Sequence, residues 1–273
     1  MIALAAAIAF QCTAVLYAQD AFRGWTVDAR TKSLELLAVD ESAGKTTFVL
    51  KNVSGRVISA YSACFSRGQG FTSCHDSDWS DADTEALADG DMDRLVIGSA
   101  EASEYKNHIL QISAVLFEDG TSEGLPYNIS FIELKRLGRA LETRRTSDVL
   151  SSFNGRTLGD LEIERLADRI GTEPKQPDQQ FVNEVKGMSV PGLAMPDFQN
   201  LSERLLGSLF VGVTNARFDM LRAIDDLRKL PVSSADPNVL ARTVYLSGLQ
   251  HDLDERSSRM IDTCKRSQRA KSK

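Results

Sequence analysis

The sequence predicts an α+β protein in which an N-terminal antiparallel β-sandwich is followed by a C-terminal helical region. Up to about residue 125, short segments rich in β-branched and aromatic residues alternate with turn signals, as in sandwiches. Beyond residue 126, apolar residues recur at helical spacing. Residues 1–130 hold 9 Lys and Arg against 18 Asp and Glu, whereas residues 131–273 hold 23 against 20. This asymmetry indicates two regions, a β domain at 24–125 and a helical region at 126–273.

The β domain contains six or seven candidate strands. The clearest runs from 108 to 117, where alternate residues form one apolar face: Leu110, Ile112, Ala114 and Leu116. Segments 46–52 and 57–65 are also rich in β-formers, and the turn residues Ser54-Gly55 lie between them. We therefore expect these two segments to form a β-hairpin. Shorter candidates lie at 34–39, 70–73 and 95–98.

The helical region ends in two long predicted helices. Asp197 is expected to cap a helix that continues to about Leu230, and Asp236-Pro237 is expected to start the next one. A short loop between two long amphipathic helices favours an antiparallel helical hairpin. Four prolines punctuate residues 171–196, so this segment is expected to be a mobile linker. Further helices are predicted at 129–145, 161–170 and 179–186.

Residues 1–18 predict an N-terminal export signal. The stretch from Met1 to Gln19 carries no charged side chain, and Ala18 is the small residue expected before a cleavage site. The basic start of such signals is absent, so the signal is atypical. An uncleaved membrane anchor and a buried hydrophobic helix are the alternatives. The expected location is extracytoplasmic, either periplasmic or secreted.

Three cysteines remain after such a cleavage, namely Cys64, Cys74 and Cys264. In an oxidising compartment Cys64 and Cys74 can close a short loop by a disulfide. Spacing alone leaves the geometry open, because the two Cα atoms must come within about 7 Å. Cys264 is interpreted as a small apolar residue of a helix, with an intermolecular bridge as the alternative.

Two short motifs resemble segments of exported bacterial proteins. The run from Phe48 to Tyr61 (FVLKNVSGRVISAY) is similar to a hairpin of exported immunoglobulin-like domains. The run from Ala114 to Gly124 (AVLFEDGTSEG) is similar to a strand end in uncharacterised exported proteins, mostly acidobacterial. The resemblance covers roughly residues 30–145. It implies an immunoglobulin-like sandwich and export, and it implies no activity.

An acidic run is the best candidate for a chemical site in the β domain. Eight carboxylates lie between Asp76 and Asp93, with no Lys or Arg among them. Carboxylate oxygens suit Ca²⁺, and the weak candidates are Asp76, Asp78, Asp81 and Asp83. The EF-hand pattern fails, so a solvated acidic loop is the favoured interpretation. The adjoining Cys74-His75-Asp76 holds groups for catalysis or metal binding, but no further ligand motif completes a site.

No sequence motif indicates a catalytic residue, a metal or a cofactor. The charge balance is too acidic to favour a nucleic-acid-binding protein. The C-terminal tail is basic, and its cations either oppose a helix end or contact anionic lipid as a peripheral membrane protein would. These cations are Lys265, Arg266, Arg269, Lys271 and Lys273.

The sequence as a whole predicts an exported, non-enzymatic binding or scaffolding protein. Its partner would be an unknown protein, or a second copy bound through the C-terminal helices. The alternative function is a metal-dependent or hydrolytic enzyme that uses the acidic segment Cys74–Asp93.

Overall fold

The computed structural model describes residues 24–66, 71–80, 86–105, 109–154, 158–230 and 237–271. The chain divides into two compact units, one holding the strands up to about residue 129 and one holding the helices beyond it. The predicted α+β class is confirmed. The predicted signal at 1–18 lies outside the described residues.

The described strands are β1 (Thr26–Ala29), β2 (Leu34–Ser42), β3 (Lys45–Asn52), β4 (Ile58–Ser66), β5 (Phe71–Asp78), β6 (Met92–Gly98), β7 (Ile109–Phe117) and β8 (Ser122–Gly124). The described helices are α1 (Ser99–Ser103), α2 (Pro126–Ser151), α3 (Asp160–Ile170), α4 (Gln179–Gly187), α5 (Glu203–Lys229) and α6 (Pro237–Lys271). Of these elements, β1, β8 and α1 were not predicted from the sequence.

The strands form two sheets that face each other across one hydrophobic core. The larger sheet has the order β1-β7-β4-β5, with β8 alongside β7, and the smaller has the order β2-β3-β6. The strand pairs are antiparallel except for β1 with β7. The rings of Phe48 in the smaller sheet and Phe65 in the larger are 5.3 Å apart between centroids, and Trp25 makes an edge contact with both. The unit is therefore a β-sandwich.

The predicted hairpin between 46–52 and 57–65 is wrong, because the two strands lie in different sheets. β3 has β2 on one edge and β6 on the other, so neither edge is open to β4. The chain crosses between the sheets at Asn52, whose side-chain amide donates to the carbonyl oxygens of Arg56 (2.6 Å) and Leu87 (2.8 Å). The turn-forming residues here mark a crossover instead of a hairpin.

The strand predicted at 108–117 is present as β7, but its core-facing side changes at Ser113. The consecutive residues Ser62 and Ala63 of β4 pair with residues on either side of Ser113. One extra residue in a strand moves every later side chain to the other face. The side chains of β7 in the core between the sheets are therefore even-numbered before Ser113 and odd-numbered after it, and not the single predicted face. They are Leu110, Ile112, Val115 and Phe117.

The long helices α5 and α6 pack antiparallel in the helical unit, as a helical hairpin does. Arg242, near the start of α6, donates to the carbonyl oxygen of Leu230 at the end of α5 (2.8 Å). At the other end of the pair, Cys264 of α6 lies in the same apolar cluster as Leu209 of α5.

Helix α5 begins later than the sequence predicted. Its N-cap is Ser202, whose hydroxyl accepts the N–H of Leu205 at 3.4 Å. Asp197, the predicted cap, instead accepts the N–H of Gln199 (3.1 Å) and the side-chain amide of Asn200 (2.7 Å) in a local turn. Both residue types are good caps, so composition did not distinguish them.

The prediction of a mobile linker at 171–196 is wrong, because this segment is packed into the helical core. It contains α4, whose Phe181 and Val185 are buried, and Leu193 is buried beyond it. All three belong to the apolar cluster that holds Leu209 of α5. The prolines interrupt helices here, but burial of the apolar side chains holds the chain in place.

Helices α2 and α5 approach each other closely at two glycines. A Cβ atom added to Gly212 would lie 1.9 Å from the carbonyl oxygen of Lys135, and one added to Gly138 would lie 2.2 Å from that of Leu209. Ser208, one turn before Gly212, donates its hydroxyl to the carbonyl oxygen of Phe131 in α2. The crossing therefore depends on small residues that let the two backbones meet.

A buried cluster of charges joins α2 to α5. Glu142 is fully buried and accepts two hydrogen bonds from Arg217 (2.8 and 2.9 Å) and two from Arg145 (2.6 and 3.0 Å). Arg217 also donates to the carbonyl oxygen of Thr172 (3.0 Å) and to Glu184. Burial acts to lower the pKa of the Arg217 guanidinium, but the hydrogen bonds and charges of Glu142 and Glu184 outweigh it and raise the pKa. The carboxylate of Glu142 thus accepts hydrogen bonds from two guanidinium groups, and its negative charge stabilises both.

Candidate functional site

Cys64 and Cys74 are joined by a disulfide within the β unit. They are directly opposite residues of β4 and β5, with Cα atoms 4.0 Å apart. Cys64 is buried, with its sulfur 3.3 Å from the hydroxyl of Ser113, whereas Cys74 is exposed. A sulfur atom in a disulfide is not a thiolate, so Cys74 in this form cannot be the nucleophile of the alternative enzyme. Cys264 is buried in the helical unit and is not part of this disulfide.

Removal of the disulfide should destabilise the β unit. A bridge between residues ten apart restricts the unfolded chain and contributes about 2.5 kcal/mol. We expect Cys64→Ala/Cys74→Ser to lose that much free energy of unfolding in urea, measured through the fluorescence of Trp25 and Trp79, which both lie in this unit. A reductant should cause the same loss in the wild type and no further loss in the variant. Equal stability of the variant and the oxidised wild type would contradict this expectation.

The acidic run does not form the single loop that the sequence predicted. Asp76 and Asp78 belong to β5 and Asp93 belongs to β6, while Asp81 and Asp83 lie outside the described residues. Across the described ranges, no group of three His, Cys, Asp or Glu side chains is placed to hold a metal ion. Within those ranges, Asp76 and Asp78 are therefore not part of such a group, and a calcium site that includes Asp81 and Asp83 stays a prediction.

Several members of the acidic run bond to the protein's own chain. Asp89 accepts the N–H of Gly55 at 2.8 Å, next to the crossover between the sheets. Asp93 accepts the hydroxyl of Tyr61 at 2.7 Å. Burial and the charge of Asp93 raise the pKa of Tyr61, so the phenol remains a donor. Asp93 thus links β6 of the smaller sheet to β4 of the larger one.

The tripeptide Cys74-His75-Asp76 is not assembled as one site. Successive side chains of a strand point to opposite faces, so His75 is directed away from its two neighbours in β5. Its Nε2 lies 3.1 Å from a carboxylate oxygen of Glu101, and the hydroxyl of Tyr105 donates to the same oxygen at 2.6 Å. Glu101 and Tyr105 were not predicted from the sequence as neighbours of His75. Residues four apart lie on the same face of a helix, and this spacing was the available signal.

The helical unit contains a cavity of about 310 Å³ between α2, the start of α5, the end of α6 and the segment 194–201. Small-molecule sites occupy about 300–1,000 Å³, so this cavity is at the lower end of their range. Its floor is apolar and consists of largely buried side chains: Leu134, Leu137 and Cys264. Partly exposed apolar side chains form its opening: Met195, Leu201 and Leu205.

Polar groups converge on the same helical cavity. Gln268 of α6 accepts the N–H of Ala194 (3.0 Å) and donates to its carbonyl oxygen (2.9 Å), which fixes one wall. Lys271 pairs with Glu133 of α2 at the rim. The polar lining is completed by Ser130, Arg136 and Ser267. An apolar cavity with a few fixed polar groups is the usual form of a small-ligand site.

No family model, curated protein or solved structure matches this chain. Within the described ranges, no helix is both long enough and apolar enough to cross a bilayer.

The basic tail belongs to α6 as far as Lys271, and Lys273 lies outside the described residues. Lys271 pairs with Glu133, and the guanidinium of Arg266 donates to the hydroxyl of Thr263 at 3.0 Å. The tail thus contributes to helix packing and to the rim of the cavity.

A second cavity, of about 510 Å³, lies beside the buried charges of the helical unit and is mostly polar. Its lining includes the buried Arg217, whose donors already meet Glu142, Glu184 and the carbonyl oxygen of Thr172. Because these donors are satisfied within the protein, Arg217 has little hydrogen-bonding capacity left for a ligand, and the apolar cavity is the better candidate site.

The apolar cavity was not predicted from the sequence. Its walls come from α2, from a segment that was predicted to be a mobile linker, and from the far end of α6. A usable signal was the series of apolar residues at the end of the proline-rich segment and just after it, namely Leu193, Met195 and Leu201.

Proposed function

We propose that this chain is an exported binding or scaffolding protein without a catalytic role, and that its helical unit carries the binding site. The observation that carries the proposal is the apolar cavity with its polar rim. One wall is already fixed by Gln268 and the floor by buried side chains, so binding requires little ordering of the protein. The β unit supports a structural role, because Cys74 is in a disulfide and Asp89 and Asp93 bond to their own chain.

Export is the second part of this proposal. Disulfides form and persist mainly in oxidising compartments, so the Cys64–Cys74 bridge supports a location outside the cytoplasm. The uncharged stretch 1–19 would supply the signal. Fractionation of cells that make the full chain, followed by the intact mass, should find a periplasmic or secreted protein without residues 1–18. A cytoplasmic protein that retains these residues would contradict the proposal.

We also propose an immunoglobulin-like architecture for the β unit. Support comes from two sheets over one core and from the resemblance of the two motifs. In chain order, β2-β3-β6 corresponds to A-B-E of the ABED sheet and β4-β7-β8 corresponds to C-F-G, whereas β5 lies beside β4 and not in the position of D. The proposal therefore concerns the layers and these six strands, and not β1 and β5.

The binding function is tested with a neutral apolar probe. N-phenyl-1-naphthylamine, which fluoresces more strongly in apolar surroundings, should bind the purified full chain at one saturable site. Leu205→Trp should weaken this binding by about tenfold, or about 1.4 kcal/mol, because the larger side chain occupies the opening.

Val211→Trp is the matched control, since it places the same residue at an exposed position of the same helix. It should leave binding of the probe unchanged. The absence of saturable binding, or an equal loss in both variants, would overturn the proposed function.

A further inference from the structure

We infer that the ligand of the helical cavity is a small amphipathic anion, namely an aliphatic chain of medium length that ends in a carboxylate. The inference rests on the proposed function, because it names the class of ligand that the same cavity would take. It is carried by the size of the cavity, by the separation of its apolar floor from its polar rim, and by the charge of that rim.

The apolar part of the cavity suits an aliphatic chain. Leu134, Leu137 and Cys264 are 9%, 6% and 7% exposed and form a floor that an alkyl chain can cover without losing hydrogen bonds. Met195 at the opening has an unbranched, flexible side chain that adapts to the shape of such a chain. A volume of about 310 Å³ favours a chain of medium length over a large ring system or a long lipid tail.

The rim favours a negative head group. Of the two cations that line the cavity, Arg136 is only 2% exposed and interacts within the protein, so the positive charge that a ligand can reach is that of Lys271. Lys271 pairs with Glu133, but an ammonium group has three donors and can hold a second carboxylate as well. Its side chain is 53% exposed against 18% for Glu133, so the cation is the partner that a ligand at the opening reaches first.

Neutral hydrogen-bonding groups near the rim complete the arrangement. The hydroxyls of Ser130 and Ser267 line the same cavity as the apolar floor. A carboxylate accepts hydrogen bonds from such donors as well as from an ammonium group, whereas a quaternary ammonium head group has no donor and would meet the exposed ammonium group of Lys271. The anion is therefore the head group that the lining fits.

Three ligands that share one alkyl chain test the inference: decanoate, 1-decanol and decyltrimethylammonium. Calorimetry with the full chain, below the micelle concentration of each ligand, should give the tightest binding for decanoate and the weakest for the cation. Lys271→Gln should weaken decanoate binding by about threefold, the size expected for a half-exposed ion pair. Glu133→Gln should strengthen it by a similar factor.

Two controls accompany these variants. Binding of 1-decanol should be the same in the wild type, Lys271→Gln and Glu133→Gln, which also shows that the variants fold. Lys229→Gln removes a lysine at the exposed end of α5, 74% exposed, and should leave decanoate binding unchanged.

The outcomes separate the inference from the function on which it rests. Equal affinity for decanoate and 1-decanol, tighter binding of the cation, or no response of decanoate to either rim substitution would overturn the inference alone. Failure of all three ligands, together with failure of N-phenyl-1-naphthylamine, would remove the proposed binding function as well.

Discussion

Gly212→Ala should destabilise the helical unit by about 2 kcal/mol, although alanine is the better helix former. The added Cβ would meet backbone atoms of α2, the carbonyl oxygen of Lys135 at 1.9 Å and the nitrogen of Arg139 at 2.9 Å. Backbone atoms cannot move out of the way as the end of a flexible side chain can, so the two helices must move apart. Overpacking costs about 1–3 kcal/mol, which outweighs the gain of about 1 kcal/mol in helix propensity.

Gly207→Ala is the matched control, because this glycine lies in the same helix and an added Cβ would meet nothing within 4 Å. It should be neutral or should stabilise the unit by up to about 1 kcal/mol. Urea unfolding followed by far-UV circular dichroism measures the helical unit. The fluorescence of Trp25 and Trp79 measures the β unit and should not shift. Stabilisation by both substitutions would mean that the close crossing of α2 and α5 is absent.

The second large effect is expected for Glu142→Gln, which keeps the shape of the side chain and removes its charge. Arg145 and Arg217 then lose the carboxylate that balances them. Loss of one partner of a buried ion pair costs about 3–5 kcal/mol, because the other charge stays buried. Arg217 is 3% exposed, and a guanidinium keeps its proton in proteins, so the cost is not relieved by loss of that proton. We expect about 3 kcal/mol, since glutamine retains one acceptor oxygen.

Glu164→Gln is the same substitution in an exposed ion pair, with Arg228 at 3.0 Å. It should cost under about 1 kcal/mol in the same unfolding measurement. Adding Arg217→Met to Glu142→Gln should recover part of the lost stability, because it removes the unbalanced charge. Similar losses for Glu142→Gln and Glu164→Gln would contradict the account of a buried charge cluster.

The positions of several strands were predictable because one-sided burial leaves a period of two in the sequence. β3 shows this alternation of buried and half-buried residues directly. The pairing was not predictable, since Ser54-Gly55 forms a turn equally well in a hairpin and in a crossover between sheets. The extra residue Ser113 likewise leaves no mark in composition, yet it changes which side chains of β7 reach the core.

The candidate site was less predictable than the fold. The spacing of Cys64 and Cys74 indicated a pair, but only the register of β4 with β5 places them opposite each other. The cavity depends on three distant segments, one of which has the prolines of a linker and the buried Leu193 of a core. Local sequence patterns predict the structure of each segment, but they do not predict which segments pack against one another.

The parallel pairing of β1 with β7 sets the order in which the β unit can fold. Thr26–Ala29 pairs with Ile109–Ile112, so β1 cannot pair until a strand about 80 residues later in the chain has been synthesised. Chain entropy opposes contacts over such a separation, and they form late. Until residue 109 has emerged from the ribosome or from a translocation pore, the segment just behind the predicted signal has no partner strand. Under the proposed export, a signal peptidase acting in that interval would act before β1 has paired.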